Sequence, residues 1–237
     1  MSVDYTRNTM DFAKSATSYN EGLRSYMISV YNNMGIALAI TGALAYLVAS
    51  VPALFNAIFG TPLGYVVMFS PLIMAFFVLP KMMNYSIGKA RGVLWLFSGL
   101  MGISLASIFV MYTSESITRV FFITASTFGA MSLYGYTTKK DLTSWGSFLF
   151  MGLIGIILSS LVNLFLQSSA LQFVVSIITV MIFVGFTAYD TQRIRSAYEH
   201  VSGSDMAQKF AVFGALMLYM DFINLFLALL RLFGDRR

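Results

Sequence analysis

The sequence predicts an all-α, polytopic membrane protein with seven transmembrane helices. Of its 237 residues, 58% are hydrophobic and only 11% are charged, whereas a soluble domain is usually about half apolar and a quarter charged. Seven apolar stretches approach the roughly 20 residues that a helix needs to cross a bilayer. We expect helices because backbone groups in lipid must find hydrogen-bond partners within their own segment. The predicted spans cover residues 27–49, 63–80, 93–111, 117–134, 146–166, 171–190 and 210–232.

The chain is predicted to form one domain behind a short tail. Residues 1–24 mix acidic and basic side chains without an apolar core, so we interpret them as a cytosolic tail and not as a signal peptide. Residues 25–237 then form a single seven-helix transmembrane domain, because the connections between the spans are short. The absence of Cys excludes disulfides and thiolate zinc sites. His200 is the only histidine, which argues against His-based metal motifs and a Ser-His-Asp triad.

Basic residues mark the loops on one side of the predicted bundle. If seven spans alternate, the tail and the second, fourth and sixth connections hold most of the 15 Lys and Arg residues. The positive-inside rule assigns such loops to the cytosol, so we expect a cytosolic N-terminus. The net charge of +5 is therefore interpreted as a signal of topology, and we expect no nucleic-acid partner. The basic residues of these segments are Arg7, Lys14, Arg24, Lys81, Lys89, Arg91, Lys139, Lys140, Arg193, Arg195 and Lys209.

Asp221 is the clearest candidate functional residue, because it lies in the middle of the last predicted span. A charged side chain at the centre of a spanning helix costs about 2.5–3.5 kcal/mol on insertion scales, and such residues are by default functional candidates. Asn224 and Gly214 fall on the same helical face as Asp221. We expect this polar stripe to face the bundle interior or a watery cavity. The alternative is a buried carboxylate that serves packing only.

Asp190 ends the sixth predicted span. Its position alone is equally consistent with a carboxylate at the end of a helix, paired with Arg193 one turn further on. Spacing does not decide whether Asp190 meets Asp221, because simple antiparallel spans would leave the two at different depths. They meet only if the sixth span ends deep in the membrane or if a water-filled vestibule opens from the cytosol.

Three short motifs resemble the Bax inhibitor-1 family, also called the transmembrane Bax inhibitor motif family. The motifs are Lys139-Lys-Asp-Leu-Thr-Ser-Trp-Gly146, Thr187-Ala-Tyr-Asp-Thr-Gln-Arg-Ile-Arg195 and Leu218-Tyr-Met-Asp-Phe-Ile-Asn-Leu-Phe226. With the seven-span layout, the resemblance covers nearly the whole chain and is closest to the bacterial branch. It implies an integral protein of the bacterial inner membrane, with six helices around a central seventh. It also implies a pH-sensitive calcium leak across that membrane.

The resemblance assigns roles to particular residues. It implies that Asp190 and Asp221 form a hydrogen-bonded pair that senses pH and gates the leak. We expect Tyr189 and Asn224 to be supporting polar residues. A basic residue after the second helix latches the pair in the family, and Lys81 is the nearest match. Arginine is common in that role, and a lysine lacks its bidentate fork.

The physical chemistry of two close carboxylates fits this implied role. They share one proton because ionising both is costly. Loss of that proton creates an anionic site, and Ca²⁺ prefers such oxygen ligands. We therefore expect Asp190 and Asp221 to bind calcium weakly and transiently, as conduction requires, and we expect no cofactor.

Two other functions are considered. A membrane-embedded regulator would bind a membrane protease or another membrane protein through the basic loops and the tail, without essential ion conduction. An intramembrane aspartyl protease would place Tyr-Asp on one helix, as in Tyr189-Asp190, and an aspartate on the next. Those enzymes carry Gly-x-Gly-Asp at the second position, whereas this chain has Leu218-Tyr-Met-Asp221. We therefore predict that the protein is not an enzyme.

Overall fold

The computed structural model describes the backbone of residues 2–237 and the side chains of residues 19–237. Within the described backbone the chain forms eight α-helices, one short 3-10 helix and no β-strand. The predicted polar tail, residues 1–24, falls mostly outside the described side chains. The helices are α1 (Ser2–Ser50), α2 (Pro52–Phe59), α3 (Leu63–Phe77), the 3-10 helix (Leu79–Asn84), α4 (Ile87–Met111), α5 (Ser114–Thr137), α6 (Trp145–Leu166), α7 (Ser169–Val201) and α8 (Asp205–Phe233).

Five of the described helices are long and apolar enough to cross a membrane, namely α1 from Tyr19 onward, α4, α6, α7 and α8. Helices α2 and α3 meet the same criterion only together, and they bend by 77° where they join. Helix α5 is 24 residues long, but its hydroxyl residues and the charged Glu115 and Arg119 lower its hydropathy. The structure therefore shows the seven predicted segments as helix, with five or six of them having the composition of a span.

The bend between α2 and α3 falls at Gly60, Thr61 and Pro62. Pro62 has no backbone N–H with which to continue a helix, so the chain turns there. The second predicted span is therefore a broken element. The prediction covered only residues 63–80, which begin with α3 and end in the 3-10 helix, whereas the element that meets the span criterion also includes α2 before the bend.

Helix α8 forms the core of the bundle. Of its apolar 18-residue window, 67% lies inside the protein, against 33% or less for the other single-helix spans. It packs against α1, α4, α5 and α7, whereas α6 packs mainly on α7 and α3 mainly on α4. Four helices thus directly surround the helix that carries Asp221.

Helix α7 continues beyond the predicted end of the sixth span. The prediction stopped at Asp190, where charged and polar residues replace the apolar run, but the helix extends to Val201. Ile194 and Tyr198 are buried at helical spacing in these extra turns, so one face packs although the other is charged. Helix α8 likewise begins at Asp205, five residues before its predicted start. Both aspartates therefore lie well inside helices, and Asp190 is not at the end of its helix as the predicted span had it.

Contacts between helices bring the basic loops together at one end of the bundle. The ring of Tyr19 lies 5.5 Å from that of Tyr198, near the end of α7. The amide of Gln192 on α7 donates to the carbonyl of Lys140. Arg91, at the start of α4, lines a cavity together with residues of α1. We call this end, formed by the start of α4, the α5–α6 loop and the α7–α8 turn, the basic end.

Candidate functional site

The candidate site is a pair of buried carboxyl groups at the contact between α7 and α8. Asp190 is 7% exposed and Asp221 is 4% exposed. Their side chains lie within hydrogen-bonding reach of each other. Among the described residues, Asp221 Oδ2 has no hydrogen-bond partner. A buried oxygen without a donor is costly, and a proton held between the two carboxyl groups would remove that cost.

The helices that carry the pair are tightly enclosed at these positions. On α8, Leu218 and Leu225 flank Asp221 at helical spacing and are fully buried. On α7, Thr187 and Thr191 beside Asp190 are also fully buried. Each threonine hydroxyl donates to a carbonyl of its own helix. The hydroxyl protons of Thr187 and Thr191 are therefore not available to the carboxyl groups. This leaves the Asp190 and Asp221 carboxyl groups as partners for each other.

Arg193 is the cation nearest to Asp190 along α7. It follows Asp190 by three residues, about one helical turn, and its positive charge acts on the Asp190 carboxyl. The Arg193 side chain is exposed, and no ion pair joins it to Asp190 within the part of the chain whose side chains are described. One sequence interpretation placed Asp190 at the end of a helix. That interpretation is wrong, because α7 continues past Asp190 to Val201.

Lys81, the candidate latch residue, lies on the 3-10 helix and is exposed. Its helix packs against α8 and α4. Within residues 19–237, no hydrogen bond or ion pair of the Lys81 ammonium group is found. The latch implied by the family resemblance stays a prediction.

The two supporting polar residues do not hydrogen-bond the pair. Asn224 Nδ2 donates to the carbonyl of Met220 in its own helix, at 2.8 Å. The hydroxyl of Tyr189 lies against Gly146 of α6, on another side of α7 from Asp221. Their proximity along the sequence therefore does not translate into contacts with the carboxyl groups.

A chain of hydroxyl groups that the sequence analysis did not identify ends at Thr191, the residue that follows Asp190 on α7. Tyr31 on α1 lies 2.6 Å from Ser132 Oγ on α5, and Ser132 Oγ lies 2.9 Å from Thr191 Oγ1 on α7. The chain joins three helices beside the pair. Serine and threonine in helices usually bond to their own backbone, so the sequence alone gave no reason to select these residues.

A cavity of about 680 Å³ opens at the basic end of the bundle. Tyr189 and Arg193 line it, and these residues stand on either side of Asp190 along α7. Neither Asp190 nor Asp221 is among the residues that line the cavity. We call it the basic cavity.

The pair by itself offers few ligands to a metal ion. Calcium usually takes six to eight oxygen ligands. Over residues 19–237, no group of three or more His, Asp or Glu side chains converges. Two carboxyl groups supply only part of a calcium shell.

Comparison with known proteins places the chain among relatives of matching length. Residues 23–237 match the family described as "Inhibitor of apoptosis-promoting Bax1", which confirms the resemblance of the three motifs. The chain is 46% identical over 235 residues to an uncharacterized protein of Rickettsia prowazekii, with 99% of each chain covered. It is 45% identical over 219 residues to the inner membrane protein YbhL of Escherichia coli, covering 91% of this chain and 94% of YbhL. The chain therefore belongs to the Bax inhibitor-1-like family of membrane proteins.

Proposed function

We propose that this protein is a pH-sensitive calcium leak channel of a bacterial inner membrane, gated by Asp190 and Asp221. The observation that supports the proposal is the contact between two buried carboxyl groups, one of which has an oxygen without another partner. The location follows that of the YbhL relative, which is an inner membrane protein. The charges of the basic end favour a cytosolic N-terminus. In this proposal α8 is the central helix, and the other spans surround it.

The proposed gate is a shared proton. A short hydrogen bond between a carboxylic acid and a carboxylate ties α7 to α8. Loss of the proton places two like charges in a low-dielectric contact, where their repulsion is strong. It also creates an anionic site that attracts Ca²⁺. Both the helix contact and the affinity for cations therefore depend on pH.

Proton exchange at the pair requires a solvent route, and in this proposal the route starts from the basic cavity, the cavity that the neighbours of Asp190 along α7 line. Its lining residues Tyr189 and Arg193 flank Asp190. Because Arg193 acts on the Asp190 carboxyl, this cation also influences how readily the pair holds its proton. The pair would then sense the pH on the side of the membrane that faces the basic end.

The test uses purified protein in liposomes that contain a calcium-sensitive dye. We expect flux that changes with pH near neutrality. Asp190→Asn and Asp221→Asn should each flatten this dependence, because neither variant retains two titrating groups. Asp205→Asn, which alters an exposed carboxylate at the start of α8, should leave it unchanged. A pH profile that is unaffected in both pair variants would refute the gate.

Other outcomes would favour the other functions. The regulator would be favoured by an absence of flux at every pH, together with a membrane protein that co-purifies in a fixed ratio. The proposal treats the protein as a transporter of ions and not as an enzyme. Cleavage of a membrane substrate that Asp221→Asn abolishes would contradict that view.

A further inference from the structure

The basic cavity holds more positive than negative charge. Its volume is about 680 Å³, and the α5–α6 loop and α7 form its walls. Four cationic side chains and two carboxylates line it. These charged residues are Lys139, Lys140, Arg193, Arg195, Asp141 and Glu199.

Two of these charged residues are engaged in local contacts. Asp141 Oδ1 accepts a hydrogen bond of 2.8 Å from the backbone N–H of Thr143, and hydrogen bonds from Thr143 lower the pKa of Asp141. Arg195 donates to the carbonyl of Tyr136 and lies over its ring. Among the described side chains, Lys139, Lys140 and Arg193 form no ion pair. Three cations are thus available to a ligand in the cavity.

The loop that carries the two lysines is held in place by Gln192. The Gln192 Oε1 atom accepts a bond of 2.8 Å from the N–H of Leu142, and its Nε2 atom donates over 2.8 Å to the carbonyl of Lys140. Residues that serve only to orient a membrane protein need charge and the correct side of the membrane. They do not need an ordered concave wall, so these bonds point to an additional role.

We propose that the basic cavity binds a phosphate-bearing anion through Lys139, Lys140 and Arg193. Lysine and arginine are the side chains that bind phosphate oxygens by charge-assisted hydrogen bonds. The same chemistry belongs to a soluble polyphosphate compound and to the headgroup of an anionic phospholipid. Binding would neutralise Arg193, whose charge acts on Asp190. The binding of the anion does not depend on the proposed function. Only its effect on the gate, through Arg193 and Asp190, rests on that function.

The binding test needs no ion flux. Protein in phosphatidylcholine nanodiscs is titrated with inorganic triphosphate by calorimetry. We expect one saturable site per chain, with an affinity that falls as salt screens the charges. Arg193→Gln should weaken binding about tenfold, the loss of a single charge-assisted bond, and Lys139→Gln combined with Lys140→Gln should weaken it further because two cations are removed. The matched controls Lys89→Gln and Lys209→Gln remove cations of the same end that do not line the cavity and should bind as the wild type does.

A second arm distinguishes the two sources of phosphate. In nanodiscs that contain phosphatidylglycerol, a lipid headgroup in the site would suppress triphosphate binding, and the charge variants would abolish this suppression. Unchanged triphosphate binding would identify a soluble ligand. The proposal is overturned if neither triphosphate nor phosphatidylglycerol binds saturably. It is also overturned if the cavity variants and the controls behave alike while their melting temperatures stay normal.

Discussion

Ser104 of α4 donates a hydrogen bond of 2.7 Å to the carbonyl oxygen of Val67 in α3. Val67 lies four residues before Pro71, which has no N–H to close that helical bond. The hydroxyl of Ser70 donates to the same oxygen at 2.8 Å. A proline within a membrane helix is tolerated where neighbouring side chains satisfy the freed carbonyl, and α3 accordingly continues through Pro71.

Ser104→Ala should therefore destabilise the protein. Ser70 still satisfies the Val67 carbonyl in this variant, so we expect the ordinary value of one hydrogen bond, about 0.5–1.5 kcal/mol. Thermal unfolding in detergent micelles measures the effect. Ser107→Ala is the matched control, since Ser107 lies on the same helix without a side-chain hydrogen bond in the structure. Introducing Ser104→Ala into a Pro71→Ala background should cost less, because the restored N–H supplies the missing donor. An equal loss in both backgrounds would contradict this account.

Gly135→Ala should loosen the contact between α5 and α7. A Cβ atom at Gly135 would meet the backbone carbonyl of Ala188, and backbone in a packed helix does not yield as a flexible side chain does. Overpacking of this kind typically costs about 1–3 kcal/mol. Gly129→Ala on the same helix adds a Cβ with nothing within 4 Å, and it should be neutral or stabilising. Equal melting temperatures for the Gly135→Ala and Gly129→Ala variants would show that α5 and α7 can move apart at this contact without a loss of stability.

Tyr219→Phe should weaken the joint between α8 and α1. The hydroxyl of Tyr219 lies 2.8 Å from Thr41 Oγ1, and both residues are buried. Hydrogen bonds between membrane helices average about 0.6 kcal/mol in double-mutant cycles, so we expect a small loss. A cycle with Thr41→Val isolates the pair, and Tyr46→Phe, at a residue 63% exposed, serves as the control. Strict additivity of the two substitutions would argue that this bond contributes nothing.

The apolar runs located the helices because lipid leaves the backbone no alternative to helical pairing. They did not locate the helix ends. Helix α7 continues eleven residues past Asp190 to Val201, since hydropathy reports where a chain leaves lipid and not where a helix stops. The 77° bend between α2 and α3 was also missed. Helix α5 is the reverse case. Its Ser and Thr residues keep its hydropathy below that of a membrane span, yet the segment forms a helix of 24 residues.

The candidate site was only partly accessible from the sequence. The cost of burying a charge identified Asp221, but its contact with Asp190 depends on the length of α7 and on helix packing. The family resemblance pointed to Lys81 as a latch, and that role stays a prediction; Arg193, whose charge also acts on Asp190, was considered only as a partner one turn further on. The hydroxyl chain through Ser132 forms only when three helices pack at the correct heights relative to one another. Residue spacing in the sequence does not predict that packing.

The C-terminal segment should lose part of its anchorage in acid. Ser116 Oγ and Arg119 Nη2 each donate to Asp235 Oδ2 at 2.9 Å, and these contacts hold the pKa of the Asp235 carboxyl below its ordinary value. Because the folded pKa lies below the unfolded value of about 3.9, the contribution to stability is present above that pH. It is lost as the pH falls through the folded pKa.

Asp235→Asn should accordingly melt below the wild type at pH 7, and the difference should vanish in strong acid. The difference in melting temperature at neutral pH should be small and should shrink with salt, because the side chains of Arg119 and Asp235 are both more than half exposed. Glu21→Gln, at an exposed carboxylate of α1, provides the charge-matched control. A difference that persists unchanged in acid would mean that the Asp235 carboxylate is not its source.

Gln192→Ala should release the α5–α6 loop while leaving the helices intact. The N–H of Leu142 loses its acceptor Gln192 Oε1, and the Lys140 carbonyl loses the matching donor. One such bond is worth about 0.5–1.5 kcal/mol, so the Leu142 amide should exchange with deuterium roughly threefold to tenfold faster. Gln208→Ala, an exposed glutamine of α8, is the control and should leave that amide unchanged. Triphosphate affinity should fall in parallel, because the two lysines would lose their fixed positions. Faster exchange with undiminished affinity would show that the lysines bind their ligand without an ordered loop.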